Sequence, residues 1–173
     1  MKIKLILIQL ICCVIITQAQ VSQHRFPVKT GILPRGKYNA ITDVEGVLVG
    51  QKTLIRADSI RTGVTVVLPH SGNLFQQKVP AAIYVGNGFG KLAGITQVKE
   101  LGNIESPIIL TNTLSVATAI NAGITYTLSQ KENANIWSVN IIAGETNDGY
   151  LNDIRGRHVT ENDVLDAIKD AKT

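Results

Sequence analysis

The chain has 173 residues, of which 45% are hydrophobic, 17% charged and 5% aromatic, and its formal net charge is +4. This length suits one domain whose core needs no metal or disulfide to stabilise it. No run of lysine and arginine marks a surface for nucleic acid, so nucleic-acid binding is excluded as the leading function.

Residues 1–19 have the pattern of a secretory signal peptide. Lys2 and Lys4 precede an apolar stretch that stops near Ile16, and Thr17-Gln18-Ala19 has the small-x-small pattern of a cleavage site. The stretch is too short to span a bilayer comfortably, so a buried helix or an uncleaved anchor is the weaker alternative. The sequence therefore predicts a periplasmic or secreted protein without membrane contact after signal removal.

Removal of the signal peptide changes the composition of the mature chain. Cys12 and Cys13 leave with it, so the mature chain has no disulfide and no cysteine metal site. Lys2 and Lys4 leave as well, which lowers the net charge by two, from +4 to +2.

The mature chain divides into a leader segment at residues 20–37, which is polar and contains prolines, and a single domain at residues 38–173. Runs of β-branched and apolar residues bounded by glycine or proline predict five strands. These strands are expected at residues 47–50, 62–68, 81–85, 107–111 and 137–143. Their nearly continuous apolar character favours a sheet covered on both faces.

Two segments have helical periodicity. Residues 113–129 place apolar side chains three and four positions apart, and residues 160–169 begin with a cap residue followed by an acid. The apolar stripe of the first helix consists of Leu114, Ala117, Ile120, Ile124 and Leu128. A shorter helix is expected at 96–101. The pattern predicts an α/β domain with a mixed sheet and helices on its faces.

The glycine-rich segment Gly86-Asn87-Gly88-Phe89-Gly90 follows a predicted strand. A dinucleotide-binding fingerprint would need glycine where Lys91 stands, so nucleotide binding is excluded by the spacing. Two interpretations stay open. The segment is either a plain turn, or a turn whose backbone N–H groups converge on an anion or oxyanion.

Polar loops follow two other predicted strands. Residues 145–153 contain five amide or carboxylate side chains, in a register that does not match a calcium loop. Such a loop at the end of a strand is a common place for ligand contacts, and tight-turn chemistry is the alternative. Asn112 is expected to cap the helix that follows it.

Two further classes of site find no support in the sequence. His24, His70 and His158 share no spacing suited to a metal pair. No Gly-x-Ser-x-Gly segment supplies a hydrolase serine. The residues alone thus describe an exported α/β domain whose chemistry is open.

Four segments, taken in order, resemble one known family. They are Asn39–Gly50, Asn87–Gly102, Leu110–Val116 and Gly144–Ile154. The order and content of these segments resemble the L-aminopeptidase/D-esterase group, which includes the β-peptidyl aminopeptidases. The resemblance runs from about Gly36 to about Ala171.

The resemblance implies an αββα sandwich like that of N-terminal-nucleophile hydrolases. It implies a precursor that cuts itself into two chains and frees a serine at the new N-terminus. This serine attacks an amide or ester of an N-terminal residue, with its own α-amine as base. The substrates would be small peptides or aminoacyl amides and esters. The resemblance further implies assembly as a homo-oligomer and no metal or organic cofactor.

The chain departs from the family pattern because the glycine-rich cleavage site and the nucleophilic serine have no counterpart in it. We expect them beyond Thr173, so this chain corresponds to part of the first chain and is inactive without the second. Two alternatives share the fold: a catalytically inactive module that binds peptides or amino acids, and a related acyltransferase.

The resemblance also suggests which residues line the substrate site. Asn147 and Asn152 are expected to hold the substrate amine or the oxyanion. Asn112 and Leu114 are expected to shape the pocket at the start of the helix. Tyr126 is a further candidate hydroxyl for the oxyanion, and an aromatic at the edge of the core is the alternative for it.

Overall fold

The computed structural model describes residues 31–173, and Arg35–Thr173 form one compact unit. The predicted signal peptide and most of the leader segment lie outside the described residues. Within residues 31–173, no helix combines the length and the apolar character needed to cross a bilayer.

The main sheet has four strands: β1 (Leu48–Arg56), β2 (Ile60–Leu68), β5 (Ile108–Asn112) and β6 (Ile142–Thr146), in that spatial order. Strand β2 pairs antiparallel with both β1 and β5, whereas β5 and β6 are parallel. Two short strands, β3 (Val79–Pro80) and β4 (Asn103–Ile104), form a separate antiparallel pair.

Three α-helices accompany the strands: α1 (Ile95–Leu101), α2 (Val116–Leu128) and α3 (Glu161–Lys169). Helices α2 and α3 pack on one face of the main sheet and enclose the larger core cluster. The centre of this cluster includes Val66, Ile109 and Val164, none of which is measurably exposed. Helix α1 and the β3–β4 pair cover a smaller cluster around Val98, Ile104 and Ile142.

Both predicted long helices are confirmed, although α2 begins at Val116, after a 3₁₀ turn that Asn112 caps, and α3 has the predicted cap. The Thr160 hydroxyl accepts a hydrogen bond from Asp163 N, and the Asp163 carboxylate accepts one from Thr160 N. In α2, however, the buried face is formed by Val116, Ala119, Ala122, Gly123 and Thr127. The predicted apolar stripe is therefore only partly right: Ile120 and Ile124 pack against the larger cluster, but Leu114, Ala117 and Leu128 are exposed. The close packing of α2 against the sheet selects small side chains at its centre.

Two strand predictions were displaced. Residues 81–85 pair with no described strand, because the neighbouring strand β4 has only two residues and its pairing ends at Pro80. One backbone hydrogen bond, from Ala81 N to Gly102 O, continues beyond this pairing. The last strand begins at Ile142 rather than 137. Its predicted first half is unpaired because Asn140 N donates to the Glu105 carboxylate instead of to a strand, at 2.8 Å.

One face of the main sheet is largely open. The smaller core cluster, next to the β3–β4 pair, covers this face only at Ile108 and Ile142. Elsewhere Gln51, Thr65 and Leu110 lie opposite one another on this face, with Gln51 and Leu110 exposed. The expectation of a sheet covered on both faces is therefore wrong for the described residues.

Gly50 offers a test of the contact between β1 and α3. A Cβ at this position would collide with the Ala167 carbonyl oxygen and lie 2.9 Å from Ala171 N, both of which are backbone atoms. We expect Gly50→Ala to lower the free energy of unfolding by about 1–3 kcal/mol, measured by urea denaturation. Gly88→Ala is the control because nothing lies within 4 Å of its added Cβ. Equal midpoints for the two variants would contradict the close approach.

Glu105 gives a pH-dependent test of the link between the smaller cluster and residue 140. Burial disfavours its charge, but hydrogen bonds from Asn140 N, Lys78 and Gln97 prevail and lower the pKa of Glu105 below its ordinary 4.5. The ionised group therefore stabilises the fold above that pH, and the effect is lost as the pH falls through the lowered value.

We expect Glu105→Gln to cost about 1–2 kcal/mol at pH 7, and the cost to shrink as urea titrations are moved below pH 4.5. Glu132→Gln, an exposed site, serves as the control. A cost that stays constant down to pH 3 would refute the assignment.

Candidate active site

The parallel pairing of β5 and β6 brings two polar segments to one edge of the sheet. Thr111 lies opposite Glu145, and Asn112 lies opposite Thr146. Both strands end here in the same direction, so the segment after Asn112 and the loop 147–153 leave the sheet side by side. Such an edge is the usual place for ligand contacts in α/β proteins.

Asn112 is the cap that the sequence predicted. Its side chain is buried, its Oδ1 accepts from Leu114 N at 3.1 Å, and its Nδ2 donates to the Thr62 hydroxyl at 2.8 Å. These bonds fix the single 3₁₀ turn Thr113–Ser115 that leads into α2. Leu114 itself is 46% exposed at this edge, but it lines neither of the two depressions described below, so its predicted contact with a substrate stays a prediction.

Asn152 anchors the polar loop rather than facing outward. Its Oδ1 accepts from Arg61 N and its Nδ2 donates to Asp148 Oδ1, both at 3.1 Å, and the side chain is buried. The loop turns through a bond from Asn152 N to Asp148 O, at 3.0 Å, so it is not the hairpin turn that its Asn-Asp-Gly segment suggested.

A cleft of about 560 Å³ lies between the glycine-rich turn and the ends of β5 and β6. Asn147 is exposed there and uses its Oδ1 to accept from Gly149 N at 3.0 Å. The other lining residues include the turn 86–91 and Tyr84, Leu92, Leu110, Thr113, Glu145 and Thr146. Of the predicted site residues, Asn147 is the one that lines the cleft.

Tyr126 lies elsewhere. It is half-buried on α2, packs against the larger core cluster, and does not line the cleft. Burial raises the pKa of its hydroxyl above 10.0. The structure thus does not bring Tyr126 together with Asn147, and its contact with an oxyanion stays a prediction.

Glu145 is a site residue whose position the sequence did not reveal. Its Oε1 accepts from Lys91 N at 3.2 Å, and its Oε2 accepts from the Thr113 hydroxyl. One carboxylate thereby joins β6, the glycine-rich turn and the start of α2. The sequence pattern placed Glu145 in the loop after the last strand, whereas Glu145 belongs to β6, so its bonds to the turn and to Thr113 were not expected.

Three backbone N–H groups of the glycine-rich turn are hydrogen-bonded within the protein. Phe89 N donates to Asn87 Oδ1 at 3.0 Å, Gly90 N donates to Asn87 O at 3.2 Å, and Lys91 N donates to Glu145. These N–H groups are occupied inside the protein. The structure therefore favours the plain turn over the anion-binding alternative.

A second, shallower groove of about 460 Å³ runs along the open face of the sheet. It shares Leu110 and Thr146 with the cleft and is also lined by Thr53, Thr65 and Asp148. Across the described part of the chain, no group of three or more histidine, cysteine, aspartate or glutamate side chains is placed to hold a metal ion.

The fold and the cleft define a mixed α/β domain with a polar edge at the end of its parallel strands. Residues 39–173 match the family described as peptidase family S58. The chain belongs to this family.

Two curated relatives are β-peptidyl aminopeptidases named BapA. The protein from Sphingosinicella microcystinivorans is 38% identical over 144 residues, and that from Sphingosinicella xenopeptidilytica is 34% identical over 146 residues. Each match covers 79% of this chain and 36% of the relative. The chain therefore spans just over a third of their length.

Three solved structures are similar to this one, and each match covers 84% of the chain. The PH0078 protein from Pyrococcus horikoshii OT3 is 48% identical with a TM-score of 0.80, over 44% of its own length. A Burkholderia sp. β-aminopeptidase is 36% identical with a TM-score of 0.79, over 42% of its length.

The third structure is the L-aminopeptidase D-Ala-esterase/amidase from Ochrobactrum anthropi, described as a variant of the Ntn hydrolase fold. It is 32% identical with a TM-score of 0.74, over 42% of its length. The predicted family and the predicted relation to the N-terminal-nucleophile fold are both confirmed.

The polar loop offers a test of how the edge is held. In Asn152→Asp, one oxygen can still accept from Arg61 N. The other oxygen replaces the amide nitrogen that lies 3.1 Å from Asp148 Oδ1, so two carboxylates would face each other. We expect a loss of about 1–3 kcal/mol at pH 7 relative to the parent, measured by urea denaturation. Like-charge repulsion raises the pKa of the pair, so this loss should diminish below about pH 4 as one carboxyl binds a proton.

Asn147→Asp is the matched control, because residue 147 is exposed and an aspartate there still accepts from Gly149 N. It should cost little at either pH. If Asn152→Asp behaves like this control, Asn152 does not anchor the loop.

Proposed function

We propose that the complete protein is an exported serine aminopeptidase, which hydrolyses amides or esters of N-terminal residues. The observation that carries the proposal is the membership of residues 39–173 in peptidase family S58, with a cleft at the shared end of β5 and β6. The names of the BapA, Burkholderia and Ochrobactrum relatives support the choice of aminopeptidase over other peptidase activities.

In this proposal the nucleophile lies on a second chain of the same precursor, freed by self-cleavage beyond Thr173. More than half of the length of each BapA relative has no counterpart in this chain. The open face of the sheet, with Leu110 exposed at its centre, offers a surface for such a chain. The serine would then use its own α-amine as base, without a metal or organic cofactor.

The predicted site residues divide into two proposed roles. Asn147 faces the cleft and is proposed to donate to the substrate or to the oxyanion, where one donor is worth about 3 kcal/mol. Asn112 and Asn152 are buried, and each hydrogen-bonds protein partners through both its amide oxygen and its amide nitrogen, so they are proposed to act by holding the edge in place. Leu114 is proposed to contact the substrate side chain.

The test is made on the full-length product of the gene, expressed with its N-terminal segment. We expect mass spectrometry to find two chains, N-terminal sequencing to find the first cut after Ala19, and the product to hydrolyse aminoacyl p-nitroanilides. The 173-residue chain alone should show no turnover. Alanine at the new N-terminal serine should abolish both cleavage and turnover.

Three other outcomes would change the assignment. An uncleaved, inactive product that binds peptides would be a binding module. Transfer of the acyl group to an amine faster than hydrolysis would indicate an acyltransferase. A product retained in the cytoplasm would refute export and leave the activity unaffected.

A further inference from the structure

The glycine-rich turn contains the pair Asn87-Gly88, and Asn87 is the only asparagine of the sequence that precedes a glycine. Such a pair can cyclise when the backbone nitrogen of the glycine attacks Cγ of the asparagine side chain and forms a five-membered succinimide ring. Glycine favours the attack because it has no Cβ to hinder the approach of its nitrogen. Asn87 and Gly88 are both exposed, and Asn87 forms part of the cleft wall.

The hydrogen bonds of the turn leave the attacking nitrogen available. Within residues 31–173, no hydrogen bond has Gly88 N as its donor, and a Cβ added to Gly88 would meet nothing within 4 Å. The side chain under attack is held in place, because Asn87 Oδ1 accepts from Phe89 N at 3.0 Å. Attack at Cγ places negative charge on this oxygen, and a backbone N–H already directed at it stabilises that charge.

A second pair in the neighbouring loop, Asp148-Gly149, gives a comparison within the same molecule. An aspartate before a glycine can form the same ring by losing water. Here, however, Gly149 N already donates to Asn147 Oδ1 at 3.0 Å, and Asp148 Oδ1 accepts from Asn152 Nδ2 at 3.1 Å. Cyclisation would break the first bond and disturb the second, so the fold protects this pair.

We propose that Asn87 is a site of spontaneous deamidation in the folded protein, whereas Asp148 is protected. Gly88 N forms a bond to Asn87 Cγ, and the Cγ–Nδ2 bond breaks. The proton lost from Gly88 N leaves with Nδ2 as ammonia. One water molecule then opens the succinimide at either carbonyl and gives aspartate or isoaspartate at position 87. The reaction consumes only water and does not depend on the proposed peptidase activity.

Deamidation would change the cleft itself. Either product places a carboxylate where a neutral amide stood, so the cleft wall gains a negative charge. Isoaspartate also carries the chain through the former side chain and lengthens the backbone by one CH₂ group. The turn is closed by a bond from Gly90 N to Asn87 O, at 3.2 Å, and this longer backbone would not preserve it.

The test follows the full-length product of the gene during incubation at pH 8 and 37 °C. Peptide mapping by mass spectrometry should find a gain of about 1 Da at residue 87, with isoaspartate among the products. A parallel sample in concentrated guanidinium chloride gives the rates in the unfolded chain. Folding should leave the rate at residue 87 within about three-fold of the unfolded rate, but should slow isoaspartate formation at residue 148 about ten-fold, as one hydrogen bond would.

Two variants test the roles of the attacking nitrogens. Gly88→Ala has room for its methyl group and should slow the gain at residue 87 about ten-fold, because the methyl group hinders the attack. Asn147→Ala removes the acceptor of Gly149 N and should raise isoaspartate at residue 148. It should leave the rate at residue 87 unchanged, and so serves as the control for the first variant.

Three results would overturn the inference. Suppression of the rate at residue 87 by ten-fold or more on folding would mean that the turn holds the pair away from cyclisation. An unchanged rate in Gly88→Ala would mean that the nitrogen of residue 88 is not the attacking group. Equal rates at residue 148 in the folded and unfolded chain would remove the protection. None of these readouts uses turnover, so the inference and the proposed function succeed or fail separately.

Discussion

The parallel pairing of β5 with β6 is the constraint on which the candidate site depends. Parallel neighbours need a crossover connection, and α2 supplies it on the core face of the sheet. The crossover must lie close to the strands, and Gly123 permits this, because a Cβ there would come within 2.7 Å of Ile141 and 3.2 Å of Ile109. Small residues along α2 thus place two strand ends, and their polar side chains, at a single edge.

Hydrogen bonding then separates the polar residues of this edge into two groups. Asn112 and Asn152 direct both halves of their amides to protein partners and are buried. If these residues gave up their partners, buried amide groups would be left unpaired at a cost in free energy, so both residues are suited to holding the edge in place. Asn147 and Glu145 keep donor or acceptor capacity at the cleft. The second group is therefore better placed to contact a ligand in the cleft.

Much of the fold could be predicted because local patterns and tertiary structure agree. Strands β2 and β5 combine β-branched residues with clear boundaries, whereas β1 continues to Arg56, well beyond its predicted end at Gly50. The caps Asn112 and Thr160 act through neighbours two and three positions away. The last strand was misplaced because residue 140 pairs with Glu105, which is 35 residues earlier. No local pattern reveals such a partner.

The site was harder to predict than the fold for the same reason. Asn147 and Asn152 have the same side chain and lie in the same loop, yet only the tertiary contact with Arg61 buries one of them. Glu145 contacts the glycine-rich turn by accepting a hydrogen bond from Lys91 N, which is 54 residues away in the sequence. The position of Tyr126 followed from which face of α2 meets the sheet, and that face is lined by small residues that carry little hydrophobic signal.

The exposure of the cleft to solvent determines how strongly the Glu145 carboxylate can attract a positively charged group. Two unit charges 4 Å apart attract by about 1 kcal/mol in water and by about 4 kcal/mol at an effective dielectric constant of 20. In the described part of the chain the cleft and the adjoining groove are open to solvent, so the weaker figure applies. A second chain that covers Leu110 and the rim would exclude water from the same carboxylate. On this argument, a second chain of the kind proposed would strengthen any electrostatic contact that a ligand makes with Glu145, and would contribute to binding as well as supply the nucleophile.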